Sequence, residues 1–162
     1  MSLKVWPESL IPHYAISIEV PDEICIGKIL GRRYCTKCEK AFNLCDVDGD
    51  HINLLYEYED SNVSNITLES EMKSESICGE FRMEPMLPNV ECACNKKETW
   101  ISRNDDKIDI LKKRLSDFHS QTRPVLDYYE NIGKLIKFIP FQGVDELPNL
   151  LALIDANMKH PL

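Results

Sequence analysis

Between His13 and Gly31 the chain writes a strand and a helix with almost nothing between them. The run His13-Tyr14-Ala15-Ile16-Ser17-Ile18-Glu19-Val20 is rich in β-branched residues and reads as a strand. Pro21-Asp22-Glu23 follows at once. Proline suits the first position of a helix, and two carboxylates favour its positive end. The helix predicted from Ile24 to about Leu30 carries Ile26, Ile29 and Leu30 on one side and stops at Gly31. A strand feeding straight into a helix is the signature of an α/β architecture.

That pattern returns near the other end of the chain. From Asn104, a candidate helix cap, Asp105 and Asp106 occupy a first turn and Ile108, Leu111, Leu115 and Phe118 recur at helical spacing. Pro124 breaks or restarts that helix, which is predicted to run through Leu126, Tyr128, Tyr129 and Ile132 to Gly133. Residues 134–140 read as a second strand, and 145–156 as a closing helix with Pro148 in its first turn. Residues 32–102 differ. Short apolar runs such as Ile52-Asn53-Leu54-Leu55-Tyr56 alternate there with Ser/Asn/Glu clusters, which predicts a β-rich lobe with an irregular middle over about 57–80. The expected order is β-α-lobe-α-β-α.

Charge divides the chain in the same way. From Asp46 to Glu91 twelve acidic residues face only Lys73 and Arg82, a net of −10 against −8 for the whole chain, so the remainder is near +2. An acidic insertion thus interrupts a neutral-to-basic frame, and reads as a solvated loop or an acidic docking surface. The overall sign argues against nucleic acid as a partner. No apolar run approaches the ~20 residues of a membrane helix. The N-terminus has neither a long apolar core nor an arginine-rich amphipathic stretch, so an intracellular chain is expected, cytoplasmic before organellar.

Seven cysteines, six of them between Cys35 and Cys94, do not pace the chain as a disulfide framework would, and reduced thiols are expected. Cys35-x-x-Cys38 has the spacing of a metal knuckle, and tetrahedral zinc needs four N or S ligands from two such elements. The second element here is Cys92-Ala93-Cys94, one residue tighter, with Cys45 as a substitute ligand. Structural zinc on Cys35, Cys38, Cys92 and Cys94 is one reading and buried thiols the other.

Three arginines stand where the frame meets the lobe: Arg32 in Gly31-Arg32-Arg33-Tyr34-Cys35, Arg103 in Ser102-Arg103-Asn104-Asp105-Asp106, and Arg114. A guanidinium is always charged and offers a planar fork to phosphate oxygens, so the three could close on a polyphosphate. Each has a plainer reading as a helix-end cation or an exposed charge. No Gly-x-x-x-x-Gly-Lys-Ser/Thr run occurs in the 162 residues.

Taken together with Ile18-Glu-Val-Pro-Asp-Glu23, Lys113-Arg-Leu115, His119-Ser-Gln-Thr122 with Pro124, Tyr128-Tyr129 and Gly133-Lys-Leu135, these pieces resemble the C-terminal half of adenylate kinases and related nucleoside monophosphate kinases. The resemblance implies a partial parallel sheet of the P-loop-kinase type with flanking helices, a partial core from 1–31 and 103–162, and a LID-like lobe over 32–102. It carries over Arg32, Arg103 and Arg114 as phosphate clamps, Asp105 as the carboxylate organising them, and the backbone near Gln142 as an adenine-contacting loop. The position whose arginine packs on adenine in the family is Lys28 here, which keeps charge and stem but loses planar stacking. In zinc-bearing LIDs of the family a second Cys-x-x-Cys or Cys-x-x-Asp precedes the Arg103 position, where Cys92 and Cys94 stand.

The function this implies is the ATP-binding part of a phosphotransferase catalysing ATP + AMP to 2 ADP, with Mg-bound ATP (or GTP) as donor. Without a phosphate cradle the chain is expected to be inactive alone, its partners being nucleotides and either a missing N-terminal half or a second copy. The rival class is a non-catalytic nucleotide- or protein-binding regulatory module. A zinc-ribbon interaction module is a third reading.

Overall fold

Strand β1 (Ala15–Ile18) and strand β8 (Leu135–Phe138) lie side by side and parallel, Ala15 opposite Leu135 and Ile18 opposite Phe138. These strands come from near opposite ends of the chain. The computed structural model describes residues 12–55, 77–87 and 99–159. No protein helix among these is long and apolar enough to cross a membrane.

Helix α1 (Asp22–Leu30) starts on Pro21 and carries Asp22 and Glu23 in its first turn, as its sequence predicts. It ends at Gly31, and the chain turns directly into the lobe. Strands β2 (Arg32–Cys35), β3 (Ala41–Asn43) and β7 (Trp100–Ile101) form one antiparallel sheet, in the order β3-β2-β7. Strands β4 (Cys45–Asp48), β5 (His51–Leu54) and β6 (Arg82–Met83) form a second, in the order β5-β4-β6. Of the irregular middle expected over 57–80, only 77–80 is described, as a short 3-10 turn; the rest lies outside the described residues.

Helix α2 (Ile108–Asp117), a π-helical turn (Phe118–Thr122) and helix α3 (Arg123–Asn131) form one nearly continuous rod. Pro124 restarts the helix, as its sequence predicts: after the π-helical turn it stands in the first turn of α3, a position that proline suits. The start of α2 differs from expectation. Asn104 does not cap it; Lys107 precedes the first helical residue, and Asp106 closes a turn by donating its N–H to the Arg103 carbonyl at 3.1 Å. Gly133, at φ 68°, ends α3 in the left-handed conformation that glycine adopts freely. After β8, a 3-10 turn (Gly143–Glu146) leads into α4 (Leu147–Lys159).

Two apolar clusters hold these pieces. Cys35, Phe42, Leu44 and Trp100 fill one, inside the β3-β2-β7 sheet. Ile24, Cys45, Val47 and Phe81 fill the other, with Val20, Ile52, Met83, Ile139 and Phe141 around it. The second cluster joins α1, the β5-β4-β6 sheet and the turn after β8, so it is what fastens lobe to frame. Phe81 is fully buried and tilts against Phe141 with ring centroids 5.1 Å apart. Burying such a ring contributes roughly 1.5–3 kcal/mol.

Candidate phosphate-binding site

The site begins at the C-terminal end of α1. A Cβ on Gly31 would meet Asn43 Oδ1, Cys45 Cβ and Cys45 N, each at 2.7 Å, so only glycine lets the lobe return this close to the helix end. The contact is hydrogen-bonded: Leu44 N–H donates to Gly31 O at 2.8 Å, Asn43 Nδ2 donates to Lys28 O at 2.8 Å, and Cys45 N–H donates to Asn43 Oδ1 at 2.9 Å. Arg33 is buried and turns its Nη1 back onto the carbonyls of Leu30 and Arg32, at 2.7 and 2.8 Å. Orphan carbonyls at a helix end need such donors.

Arg32 leaves this junction as the first residue of β2. Its guanidinium meets the Asp106 carboxylate through both ends of the fork, Nε to Oδ2 at 3.1 Å and Nη2 to Oδ1. Bidentate pairing of this kind fixes orientation as well as charge. The Asp106 side chain is 1 % exposed and that of Arg32 31 %, so a buried carboxylate holds a cation whose outer face still reaches solvent. The hydrogen bond to Asp106 holds the Arg32 guanidinium above its already high pKa. Asp105, the carboxylate expected to organise the clamps, is exposed and acts on Arg32 only through space. Asp106 makes the pair with Arg32 instead: it is buried beside the turn that its own N–H closes, while Asp105 faces outward.

Arg103 supplies the carbonyl of that turn and therefore stands beside Asp106; Arg114 lies farther along α2. Both side chains are exposed and neither is paired within the described residues. Gln142 is exposed in the turn after β8, its N–H donating to Glu146 Oε2 at 3.3 Å. The same turn touches the lobe: Arg82 N–H donates to Phe141 O at 2.8 Å, and Gly143 lies within 3.5–3.8 Å of the Met83 side chain when given a Cβ.

Lys28 departs most from expectation. Its ammonium donates to three main-chain carbonyls, of Cys45 at 2.8 Å, Met83 at 2.9 Å and Glu84 at 3.3 Å. Burial pulls its pKa below the usual lysine value, with the negative fields of Cys45 and Asp46 opposing. The position expected to lie against adenine is thus engaged with the lobe backbone. Nothing in the sequence announced this, because the partners are carbonyls rather than side chains.

Cys35 is fully buried and Cys38 half-buried beside it. Lys37 N–H points at Cys35 Sγ at 3.4 Å, and Glu39, at φ 57°, closes the turn by donating to Cys35 O at 3.0 Å. Cys92 and Cys94 lie outside the described residues. Among the described residues no group of three or more His, Cys, Asp or Glu could hold a metal ion.

The described residues thus form a mixed α/β chain: a parallel strand pair, two antiparallel sheets, and an arginine held by a buried carboxylate where α1 meets β2. Comparison with known proteins shows what it is similar to. The chain is 30 % identical over 137 residues to adenylate kinase 1, chloroplastic, of Arabidopsis thaliana, covering 84 % of this chain and 39 % of that protein. It is 30 % identical over 141 residues to the GTP:AMP phosphotransferase of Plasmodium falciparum, covering 86 % and 49 %. With an adenylate kinase of Acetivibrio thermocellus it shares 30 % over 132 residues, covering 82 % and 43 %. No protein-family model matches. This is an adenylate kinase-like chain, and it spans about half the length, or less, of the curated relatives it matches.

Proposed function

We propose that this chain forms the donor-nucleotide side of an adenylate kinase-like phosphotransferase, whose reaction is reversible transfer between Mg-bound ATP (or GTP) and AMP. The observation that carries this reading is Arg32, held in a fixed orientation by the buried Asp106 with its outer face open. Phosphoryl transfer to a nucleotide is mostly positioning and charge neutralisation. Arg32 would orient the donor phosphates, Arg103 and Arg114 would swing onto them as the lobe closes, and the turn at Gln142 would border the base.

The 162 residues contain no Gly-x-x-x-x-Gly-Lys-Ser/Thr run, so we expect the chain by itself to bind nucleotide but turn over negligibly. The test is ADP formation from Mg-ATP plus AMP, beside an Arg32→Ala/Arg103→Ala control. Robust turnover lost in the control would mean that the chain builds a working site without that loop, and would overturn the expectation of inactivity.

Structural zinc is the finer reading of the lobe. It rests on the Cys35-x-x-Cys38 spacing; Cys35 Sγ accepts from Lys37 N–H at 3.4 Å and donates to Thr99 Oγ1 at 3.6 Å, contacts that a buried thiol makes equally well. Cys92 and Cys94 would complete a tetrahedral set, and the metal would pin the two ends of the lobe. Much less than one equivalent of zinc by elemental analysis of the purified protein would remove this reading in favour of buried thiols.

A further inference from the structure

The ladder between β4 and β6 stops at the Val47–Met83 pair. Beyond it the strands part: residue 86 has crossed to β3, where Asn43 N–H donates to Met86 O at 3.0 Å. In the fork the carbonyls of Cys45, Met83 and Glu84 all accept from a single donor group, the Lys28 ammonium. A carbonyl left unmet in a half-buried place costs free energy, and three of them concentrate negative potential at one point. An ammonium suits that point because it carries three rotatable donors on a compact charge.

The fork sits next to the clamp. Lys28 lies one helical turn before Arg32, its own carbonyl accepts from Asn43, and Asn43 in turn orders the Cys45 amide. One residue thus ties α1 to β3, β4 and the segment after β6, on the stretch of backbone from which Arg32 departs.

We propose that Lys28 is a positioning residue of the phosphate site, which sets the lobe on α1 and so aims Arg32, and that it makes no contact with the nucleotide base. The inference rests on the phosphate-clamp reading above and adds how the clamp is held. It has a consequence for specificity: with the ammonium committed to backbone, the base face lacks a cation from α1, and discrimination between bases falls to the turn at Gln142.

The test uses the full chain with Lys28→Met and Lys28→Arg. Two quantities are read: hydrogen exchange at the amides of Asn43, Leu44 and Cys45, and affinity for Mg-ATP against Mg-tripolyphosphate. Lys28→Met should speed exchange at those amides by about tenfold and weaken both ligands by one common factor of about three to ten. Lys28→Arg, which keeps charge and donors, should restore part of both. A loss confined to Mg-ATP would overturn the proposal, since the adenosine moiety is what distinguishes the two ligands. Unchanged exchange in Lys28→Met would overturn it as well. Should the wild-type chain bind neither ligand, the phosphate-clamp reading falls with the positioning role that depends on it. The exchange data would still report whether the ammonium anchors the lobe.

Discussion

The junction of α1 with the lobe and the pairing of β1 with β8 are both small, yet they are built on opposite plans. At the junction the polar groups of α1 are answered by backbone and side chains of the lobe. Gly31, Asn43, Lys28 and Arg33 exchange hydrogen bonds across it, and Ile24, Cys45, Val47 and Phe81 are buried beneath. The β1–β8 pair is covered on one side by α3, whose Glu130 reaches Lys137. On β1 the alternate side chains Ile16 and Ile18 remain 41 % and 59 % exposed. Parallel strands normally lie buried on both faces. The lobe junction is closed by its own bonds, whereas β1 keeps two apolar side chains exposed beside the buried Ile136 of β8. In the proposed function the junction carries the phosphate clamp.

Substitutions can break that contrast in order of size. Phe81→Ala removes the most buried ring of the junction and should cost about 4 kcal/mol, read as a lower midpoint in urea, with loss of nucleotide affinity following loss of the lobe. Asp106→Ala should cost about 3 kcal/mol, because it leaves Arg32 partly buried without its counter-ion. Asp105→Ala, one residue away and exposed, should cost less than about 0.5 kcal/mol. Equal effects of the two aspartates would remove the structural distinction between them.

A pH titration probes the same core. Burial pushes the Cys45 thiol up to about 11 from 9.0. The folded state therefore keeps a proton that the unfolded state releases, so the stability Cys45 contributes is complete below pH 9 and is lost as pH rises toward about 11. Cys45→Ala should flatten that part of the stability profile, and an unchanged slope would contradict the burial. The smallest effect belongs to the strand pair: Ile16→Thr with Ile18→Thr should shift stability by about 0.5 kcal/mol or less. A shift as large as that of Phe81→Ala would mean that this face is covered in solution, and a change in sedimentation would identify a second copy as the cover.

Much of the frame was legible. The strand, Pro21, the paired acids and Gly31 each state their own local conformation, and the observed limits of α1 and β8 fall within two residues of those read from the sequence. The site was legible by residue type and not by geometry. Arg32 stood out, but which of two adjacent aspartates it would meet depends on a turn whose closing bond, Asp106 N–H to Arg103 O, leaves no mark in side-chain identity. Asn104 looks like a cap for the same reason: the helix starts one turn later than its first polar residue suggests. Lys28 was illegible, since its partners are carbonyls that every residue carries.

In the proposed function Arg32, aimed by Asp106, binds the donor phosphates. Calorimetric titration of Mg-ATP into the full chain and into Arg32→Ala, with folding checked by circular dichroism, tests it most directly. The account predicts saturable binding by the wild-type chain and an affinity at least about tenfold lower in the variant, from the loss of a charge-assisted contact. Equal affinity in two well-folded proteins, or no binding by the wild-type chain, would contradict it.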